Sequence, residues 1–164
     1  MVTPALGGIR IIFKRFARTA LILVIAMSIL SCASKRPSNL GISGGLLTAC
    51  PSSPNCVSSD VTDKKHQIEA FMLASDQSEP WAAIRALVLQ IPRTKIVKES
   101  TDYLHAECQS ALLGFVDDLE LHHRPNEQII AVRSASRLGN SDFGVNRRRI
   151  ELLRASLLRQ GIIR

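Results

Sequence analysis

The sequence predicts an α+β domain in which an antiparallel sheet of about four strands carries two helices packed on one face. Three observations support this prediction. Apolar residues recur at helical spacing in two segments, short extended runs lie between these segments, and no helical segment separates one run from the next. Because parallel strands need a long crossover, usually a helix, the sequence favours antiparallel pairing.

The two helices flank the predicted strands. The first is predicted to begin at Ser78-Glu79-Pro80, where a capping Ser precedes Pro in the first turn, and to end before Pro92. The second is predicted over 145–160, with Asp142 or Asn146 as its N-cap. Each carries an apolar stripe that indicates packing against the sheet. The stripes consist of Trp81, Ile84, Leu87, Val88 and Ile91 in the first helix and of Ile150, Leu153, Leu157 and Leu158 in the second.

The strands are predicted over 95–99 and 103–110, followed by a β-hairpin over 115–138 that turns at Arg124-Pro125-Asn126-Glu127. A two-residue turn at Pro125 and Asn126 fixes the register of this hairpin. The expected pairs are Leu121 with Ile130, Leu119 with Val132, Asp117 with Ser134 and, on the other face, Asp118 with Arg133. A slip of one residue would move every side chain to the wrong face.

Residues 1–31 have the pattern of a bacterial export signal. They contain no Asp or Glu, and their four cations precede an uncharged run over Thr19–Leu30. A transmembrane helix is the weaker alternative, because spanning a membrane takes about 20 apolar residues. The run ends in Ile29-Leu30-Ser31-Cys32, which resembles a bacterial lipobox. We therefore expect cleavage before Cys32, lipidation of its thiol, and a domain held in the periplasm at the membrane.

The leader changes the meaning of the positive charge. Removing its four cations lowers the formal net charge from +7 to +3. No zinc-finger spacing and no interleaving of aromatic with basic residues accompanies this charge, so nucleic acid is not an expected partner. Residues 32–49 are rich in Ser, Gly and Pro, which is typical of a flexible tether, and residues 50–164 are expected to form a single domain.

The other three cysteines have different expected roles. Cys50 and Cys56 enclose turn-forming residues and are expected to form a disulfide in an oxidising compartment. A metal site would need further ligands, which the four His residues do not offer at a workable spacing, so neither a metal nor another cofactor is expected. Cys108 lies on the apolar side of a predicted strand and is expected to be a buried free thiol.

Four sequence blocks occur in a fixed order. They are Cys50–Ser59, Gly114–Glu120, Arg133–Gly139 and Asp142–Ile150. Together they resemble the bacterial and chloroplast family called domain of unknown function 1499, and the resemblance extends over essentially the whole segment after the tether. It implies no chemistry, because the family has no assigned activity to carry over.

Polar residues within these blocks are the candidate functional residues. They are expected to cluster where the polar face of the hairpin meets the start of the last helix, whose N–H groups favour anions. The expected function is non-enzymatic binding of a small anionic ligand, an envelope component or a protein partner. The candidate ligand-binding residues are Arg133, Arg137, Asp142, Asn146 and Arg147. Three alternatives remain open: a structural polar network, a purely structural envelope protein, and a hydrolase-like enzyme using Asp118 and Glu120 as acid and base.

Overall fold

The computed structural model describes residues 35–74 and 79–164. Within it, Arg36–Arg164 forms one compact unit. The predicted signal peptide and the predicted lipidation site at Cys32 lie outside the described residues, as does the predicted capping Ser78. None of the helices in the described ranges is both long enough and apolar enough to cross a membrane.

The described residues form eight β-strands and two α-helices. The strands are β1 (Ile42–Ser43), β2 (Leu46–Leu47), β3 (Cys56–Ser58), β4 (Phe71–Met72), β5 (Thr94–Glu99), β6 (Tyr103–Gln109), β7 (Val116–Arg124) and β8 (Ile129–Ser136). The helices are α1 (Pro80–Gln90) and α2 (Val145–Arg159).

The predicted fold class, an α+β domain with a sheet of about four strands, was wrong. The described part of the chain is mostly β, with a six-stranded antiparallel sheet in the order β3-β8-β7-β6-β5, β4 as a further partner of β8, and a separate two-stranded sheet of β1 and β2. The four predicted strands correspond to β5–β8. The strands that the sequence does not reveal have two or three residues each, which is too short for an alternating pattern to be recognised.

The β7–β8 hairpin has a register two residues away from the predicted one. Leu121 lies opposite Val132, and Glu120 lies opposite Arg133. The reason is the turn: Pro125–Glu127 forms a 3-10 helix and Gln128 adopts a left-handed conformation with φ of 53°, so four residues instead of two connect the strands. Because side chains alternate with a period of two, this shift leaves every residue on its predicted face.

The two helices supply apolar side chains to the main hydrophobic core. Ile84 of α1 and Ile150 and Leu157 of α2 are completely buried, and they belong to the same core cluster as Leu119 and Leu121 of β7. Leu158, which the sequence assigns to the apolar stripe of α2, is instead half-exposed. The core therefore lies between the helices and one face of the sheet.

The start of α2 is held by the side chain of Asp142. Gly144, with φ of 76°, precedes the helix, and Asp142 Oδ2 accepts a hydrogen bond from the backbone N–H of Asn146 at 2.8 Å. Asp142 Oδ1 accepts another from Gly144 N–H at 3.0 Å. Asp142 thus satisfies backbone donors that the helix itself leaves open, whereas Asn146 lies inside the helix and is buried.

The predicted disulfide between Cys50 and Cys56 is confirmed, with the two Cα atoms 5.7 Å apart. It connects the segment before β3 to the first residue of that strand. Cys108 is a buried free cysteine, and burial raises the pKa of its thiol. This residue therefore has the environment of a packing side chain and not that of a reactive nucleophile.

Candidate functional site

The sheet face opposite the helices carries a buried polar network. Because side chains alternate along each strand, every second residue of β6, β7 and β8 points to this face. The network consists of Tyr103, His105, Glu107, Asp118, Glu120, Arg133 and Arg137. We refer to these seven residues as the buried network.

The N-terminal segment, residues 36–49, covers this network. Leu47 packs in a small apolar cluster with Tyr103 and Ala131. Gly41 N–H donates a hydrogen bond to a Glu120 carboxylate oxygen at 2.7 Å. The segment also contains the β1–β2 hairpin, so the compact unit begins at Arg36, inside the region that the sequence assigns to a tether.

Glu120 lies at the centre of the buried network and has no exposed surface. Its Oε1 accepts hydrogen bonds from the Tyr103 hydroxyl and from Gly41 N–H, each at 2.7 Å, and its Oε2 accepts one from Arg133 Nη1 at 2.7 Å. Burial and the neighbouring Glu120 carboxylate raise the pKa of Tyr103, so the phenol keeps its proton and acts as a donor. Both carboxylate oxygens of Glu120 are therefore satisfied within the protein.

Asp118 is held in a similar way by two partners. His105 Nε2 lies 2.7 Å from Asp118 Oδ1, while Arg137 donates from Nη2 to Oδ1 at 2.7 Å and from Nε to Oδ2 at 2.9 Å. Burial opposes ionisation of Asp118, but the hydrogen bonds from His105 and Arg137 lower its pKa. The hydrogen bond with Asp118 is also the main reason that the pKa of Arg137 is raised.

Glu107 connects the buried network to the surface. It accepts hydrogen bonds from Arg137 Nη2 at 2.6 Å and from Arg36 Nη2 at 2.7 Å, and Lys95 Nζ lies 3.1 Å from its second oxygen. Burial opposes its ionisation, yet these three cations hold the pKa of Glu107 at about 2. The negative charge of Glu107 is thus neutralised by cations from three separate parts of the chain.

The buried network has the geometry of a structural cross-link. Asp118 and Glu120 share a face as predicted, but their side chains are 1% and 0% exposed. An acid–base pair needs an oxygen within reach of the substrate proton, and here protein donors occupy these oxygens. Arg133 and Arg137 likewise have carboxylate partners within the protein. The arrangement joins three strands to the N-terminal segment.

A second polar network lies on the helix-covered face, around Asn146. The Asn146 side chain donates from Nδ2 to Asn55 O at 3.1 Å and to Ser136 Oγ at 2.9 Å, and its Oδ1 accepts a hydrogen bond from Ser134 Oγ at 2.6 Å. These bonds attach α2 to β8 and to the loop before β3. Because both the oxygen and the nitrogen of this buried amide have partners within the protein, Asn146 fixes the position of α2 and is not available to a ligand.

The predicted ligand-binding residues do not form one cluster. Arg133 and Arg137 lie on the face away from the helices, Asn146 lies on the opposite face, and Asp142 caps α2. Arg147 donates to two backbone carbonyl oxygens in the segment after β3. The alternation of side chains along β8 separates them, because the positions that face α2 carry serines and not arginines.

A groove of about 580 Å³ lies beside α2, bordered by the C-terminal end of α1 and the end of β6. Its apolar lining includes Leu87, Ile91, Cys108, Val145, Leu152 and Leu153. Its charged lining consists of Arg93, Arg148, Arg149 and Asp117. The one sequence feature that points to this site is the run Arg147-Arg148-Arg149. The sequence does not show that Arg148 and Arg149 line the groove and that Arg147 does not.

The charges in the groove are unbalanced. Arg149 Nη2 donates to Asp117 Oδ2 at 2.6 Å, so these two residues neutralise each other. Arg93 and Arg148 donate only to backbone carbonyl oxygens, those of Gln109 and Phe143, and neither has a carboxylate within 4.0 Å among residues 35–74 and 79–164. Two guanidinium groups therefore retain donors for an anion at a groove whose lining is largely apolar. In the same ranges, no group of three or more His, Cys, Asp or Glu residues is arranged to hold a metal ion.

The family model described as "Protein of unknown function (DUF1499)" matches residues 46–157, which is more than half of the chain. The chain belongs to this family. Comparison of the chain with curated proteins and with solved structures gave no match.

The DUF1499 match extends from β2 into the last turn of α2. It therefore contains the second polar network, where the four sequence blocks come together. Asn55, Ser136 and Asn146 belong to the first, third and fourth blocks, and Asp117 of the second block binds Arg149 beside them. In this DUF1499 domain the blocks that carry the resemblance are thus joined by hydrogen bonds that hold α2 against the sheet.

Proposed function

We propose that this chain is a non-enzymatic, lipid-anchored envelope protein whose domain binds an anionic amphiphile in the groove beside α2. The anchor rests on the leader, with its basic start, short apolar run and Cys32. The ligand rests on one observation: the groove is apolar along most of its lining and carries two arginines without carboxylate partners among the described residues.

The size and lining of the groove fit a small molecule. Binding sites for small molecules typically have volumes of about 300–1,000 Å³, mostly apolar walls and a few polar groups that fix orientation. Here Leu87, Ile91 and Leu153 supply apolar wall, and Arg93 and Arg148 supply donors. A ligand with an aliphatic chain and a phosphate or carboxylate head would use both parts.

The proposed anion site uses Arg93 and Arg148 instead of the arginines that the sequence favours. Arg133 and Arg137, the arginines favoured by the sequence, are occupied by buried carboxylates. Removing such an arginine from its partner to bind a ligand would leave a buried negative charge behind. Arg148, by contrast, is exposed and, among the residues that the structure describes, is bonded only to a backbone oxygen, so it can bind an anion without that penalty.

Calorimetric titration of the full chain with dodecyl phosphate tests the ligand, with dodecanol as the uncharged comparison. We expect Arg148→Gln to weaken dodecyl phosphate binding by at least about tenfold, the value of one charged hydrogen bond, while dodecanol binding stays the same. The control is Arg85→Gln, which removes an exposed arginine that is paired with Glu99 outside the groove. Equal loss in both variants, or no binding by the native chain, would reject the groove as a site and favour a purely structural protein.

The anchor has a separate test. The intact mass of the protein extracted from bacterial membranes should correspond to loss of residues 1–31 and acylation of Cys32. Cys32→Ser should accumulate with the mass of the uncleaved chain. Recovery of the native chain with residues 1–31 still attached would refute the anchor but would leave the ligand proposal untouched.

A further inference from the structure

At the groove lining, or directly next to residues that line it, the protein leaves several large apolar side chains exposed. Leu112 is 96% exposed and Leu113 70% exposed in the turn between β6 and β7, directly after Ala111 of the groove lining. Leu152 of α2, which lines the groove, is also 70% exposed. Phe143, whose backbone oxygen accepts a hydrogen bond from Arg148, is 87% exposed. We call these four residues the apolar rim.

The exposed cations next to the apolar rim have no acidic partners in the described parts of the chain. Arg148 and Arg159 occur on α2 four residues before and seven residues after Leu152, and neither has a carboxylate within 4.0 Å there. Arg159 donates to Ser156 Oγ at 2.9 Å, and Ser156 lines the groove, so this cation also lies close to the groove. The nearby acid Asp142 accepts backbone N–H groups at the start of α2.

We infer that the apolar rim docks onto an anionic lipid bilayer and inserts Leu112 and Leu113 between the lipids. Apolar side chains next to arginines are the combination that binds an anionic membrane surface, with the apolar groups below the headgroups and the cations among the phosphates. Leu112 is 96% exposed, so its side chain is free to enter the acyl region, and the neighbouring arginines without carboxylate partners among the described residues complement a negative lipid surface. This inference does not require the ligand proposed for the groove.

The inference can be tested on the full chain by fluorescence quenching. In a Trp81→Phe background, the single indole introduced by Leu112→Trp is compared with the one introduced by Leu46→Trp. Leu46 is the matched control because it is also exposed, at 48%, but lies in β2, in the segment that covers the opposite face of the sheet. The vesicles contain phosphatidylglycerol and phosphatidylethanolamine with brominated acyl chains, which quench an indole only at short range.

We expect strong quenching with Leu112→Trp and little with Leu46→Trp. Arg159→Gln, added to the Leu112→Trp chain, should lower the ratio of docked to undocked protein about fivefold, the effect of one arginine near an anionic surface. Leu112 and Leu113 do not line the groove, so Leu112→Asp, with Leu113→Trp as the reporting indole in the Trp81→Phe background, should abolish quenching and leave dodecyl phosphate binding intact. A failure of docking is therefore distinguishable from a failure of ligand binding.

Three results would overturn the inference. The first is absence of quenching with Leu112→Trp, whether or not the chain sediments with the vesicles. The second is equal quenching at the two positions, which would assign membrane contact to the rest of the chain. The third is a native dimer that Leu112→Asp converts to monomer, which would make the apolar rim an interface between copies of this protein.

Discussion

Replacing Arg133 with methionine tests whether the buried network is a structural cross-link or a binding site. Arg133 Nη1 lies 2.7 Å from Glu120 Oε2, and the two side chains are 6% and 0% exposed. Methionine fills much of the same volume but removes the charge. Glu120 would keep its hydrogen bonds from Tyr103 and Gly41 and lose its only cationic partner among the described residues.

The expected loss is about 3–5 kcal/mol in the free energy of unfolding at neutral pH, because one charge of a buried pair is left without its counterion. That is a large part of the about 5–15 kcal/mol typical of a folded domain. Glu120→Gln in the same chain removes the orphaned charge, and we expect it to restore most of the loss. The native pair itself is not ideal, since Arg133 Nε is buried without a hydrogen-bond partner in the described structure.

The assay is equilibrium unfolding in urea followed by Trp81 fluorescence, with Arg85→Met as control. Arg85 bonds Glu99 at 2.9 Å, but the two side chains are 46% and 32% exposed, so the loss on replacing Arg85 is expected to stay below about 1 kcal/mol. If Arg133→Met is no more destabilising than Arg85→Met, the structural interpretation of the network is refuted. If Arg133→Met loses anion binding but keeps the stability of the native chain, Arg133 is a ligand-binding residue.

Two further predictions concern acid and the disulfide. In the folded protein Glu107 and Asp118 have lowered pKa values, so the unfolded chain takes up more protons in acid, and the stabilisation they give above pH 4.5 should decline towards pH 2. Urea unfolding at several pH values should give a flatter profile over this interval for Glu107→Gln, and an unchanged profile would contradict the assignment. Replacing both Cys50 and Cys56 with Ala should cost about 2 kcal/mol, because the loop that the bond closes in the unfolded chain is short. Thermal unfolding checks this value, and a reductant should lower the Tm of the native chain but not that of the variant.

The parts of the fold that could be predicted are those whose signals are local. The periodicity of Ile84 and Leu87, or of Ile150 and Leu157, specifies an amphipathic helix from spacing alone, and these side chains are buried in the core. The strands β5–β8 are long enough to show alternation. The short strands β3 and β4 exist only because β8 provides a partner more than fifty residues away in sequence, and no local pattern encodes that.

In the β7–β8 hairpin, the sequence pattern predicts which face each side chain occupies but not the register of the two strands. The alternation of Leu119 and Leu121 with Asp118 and Glu120 placed each side chain on its observed face. The register depended on whether two or four residues form the turn. Gln128 adopts a left-handed conformation, which turn positions usually reserve for Gly or Asn, so its residue type does not predict the longer turn. The predicted contact of Asp118 with Arg133 failed for this reason, and Glu120 occupies that place.

The disulfide between Cys50 and Cys56, the two helices and the faces of the central hairpin could be predicted because each depends on residues close together in the chain, and the family could be recognised from four short sequence blocks. The sequence also supplied the lipidation prediction at Cys32. Which charges are neutralised, by contrast, could be seen only after the strands and helices had been brought together. Arg133 and Arg148 are the same residue type in neighbouring elements, yet one meets Glu120 in the interior and the other stands at a groove. Charge pairing depends on distances between strands and helices, and these distances are set by packing of the whole domain.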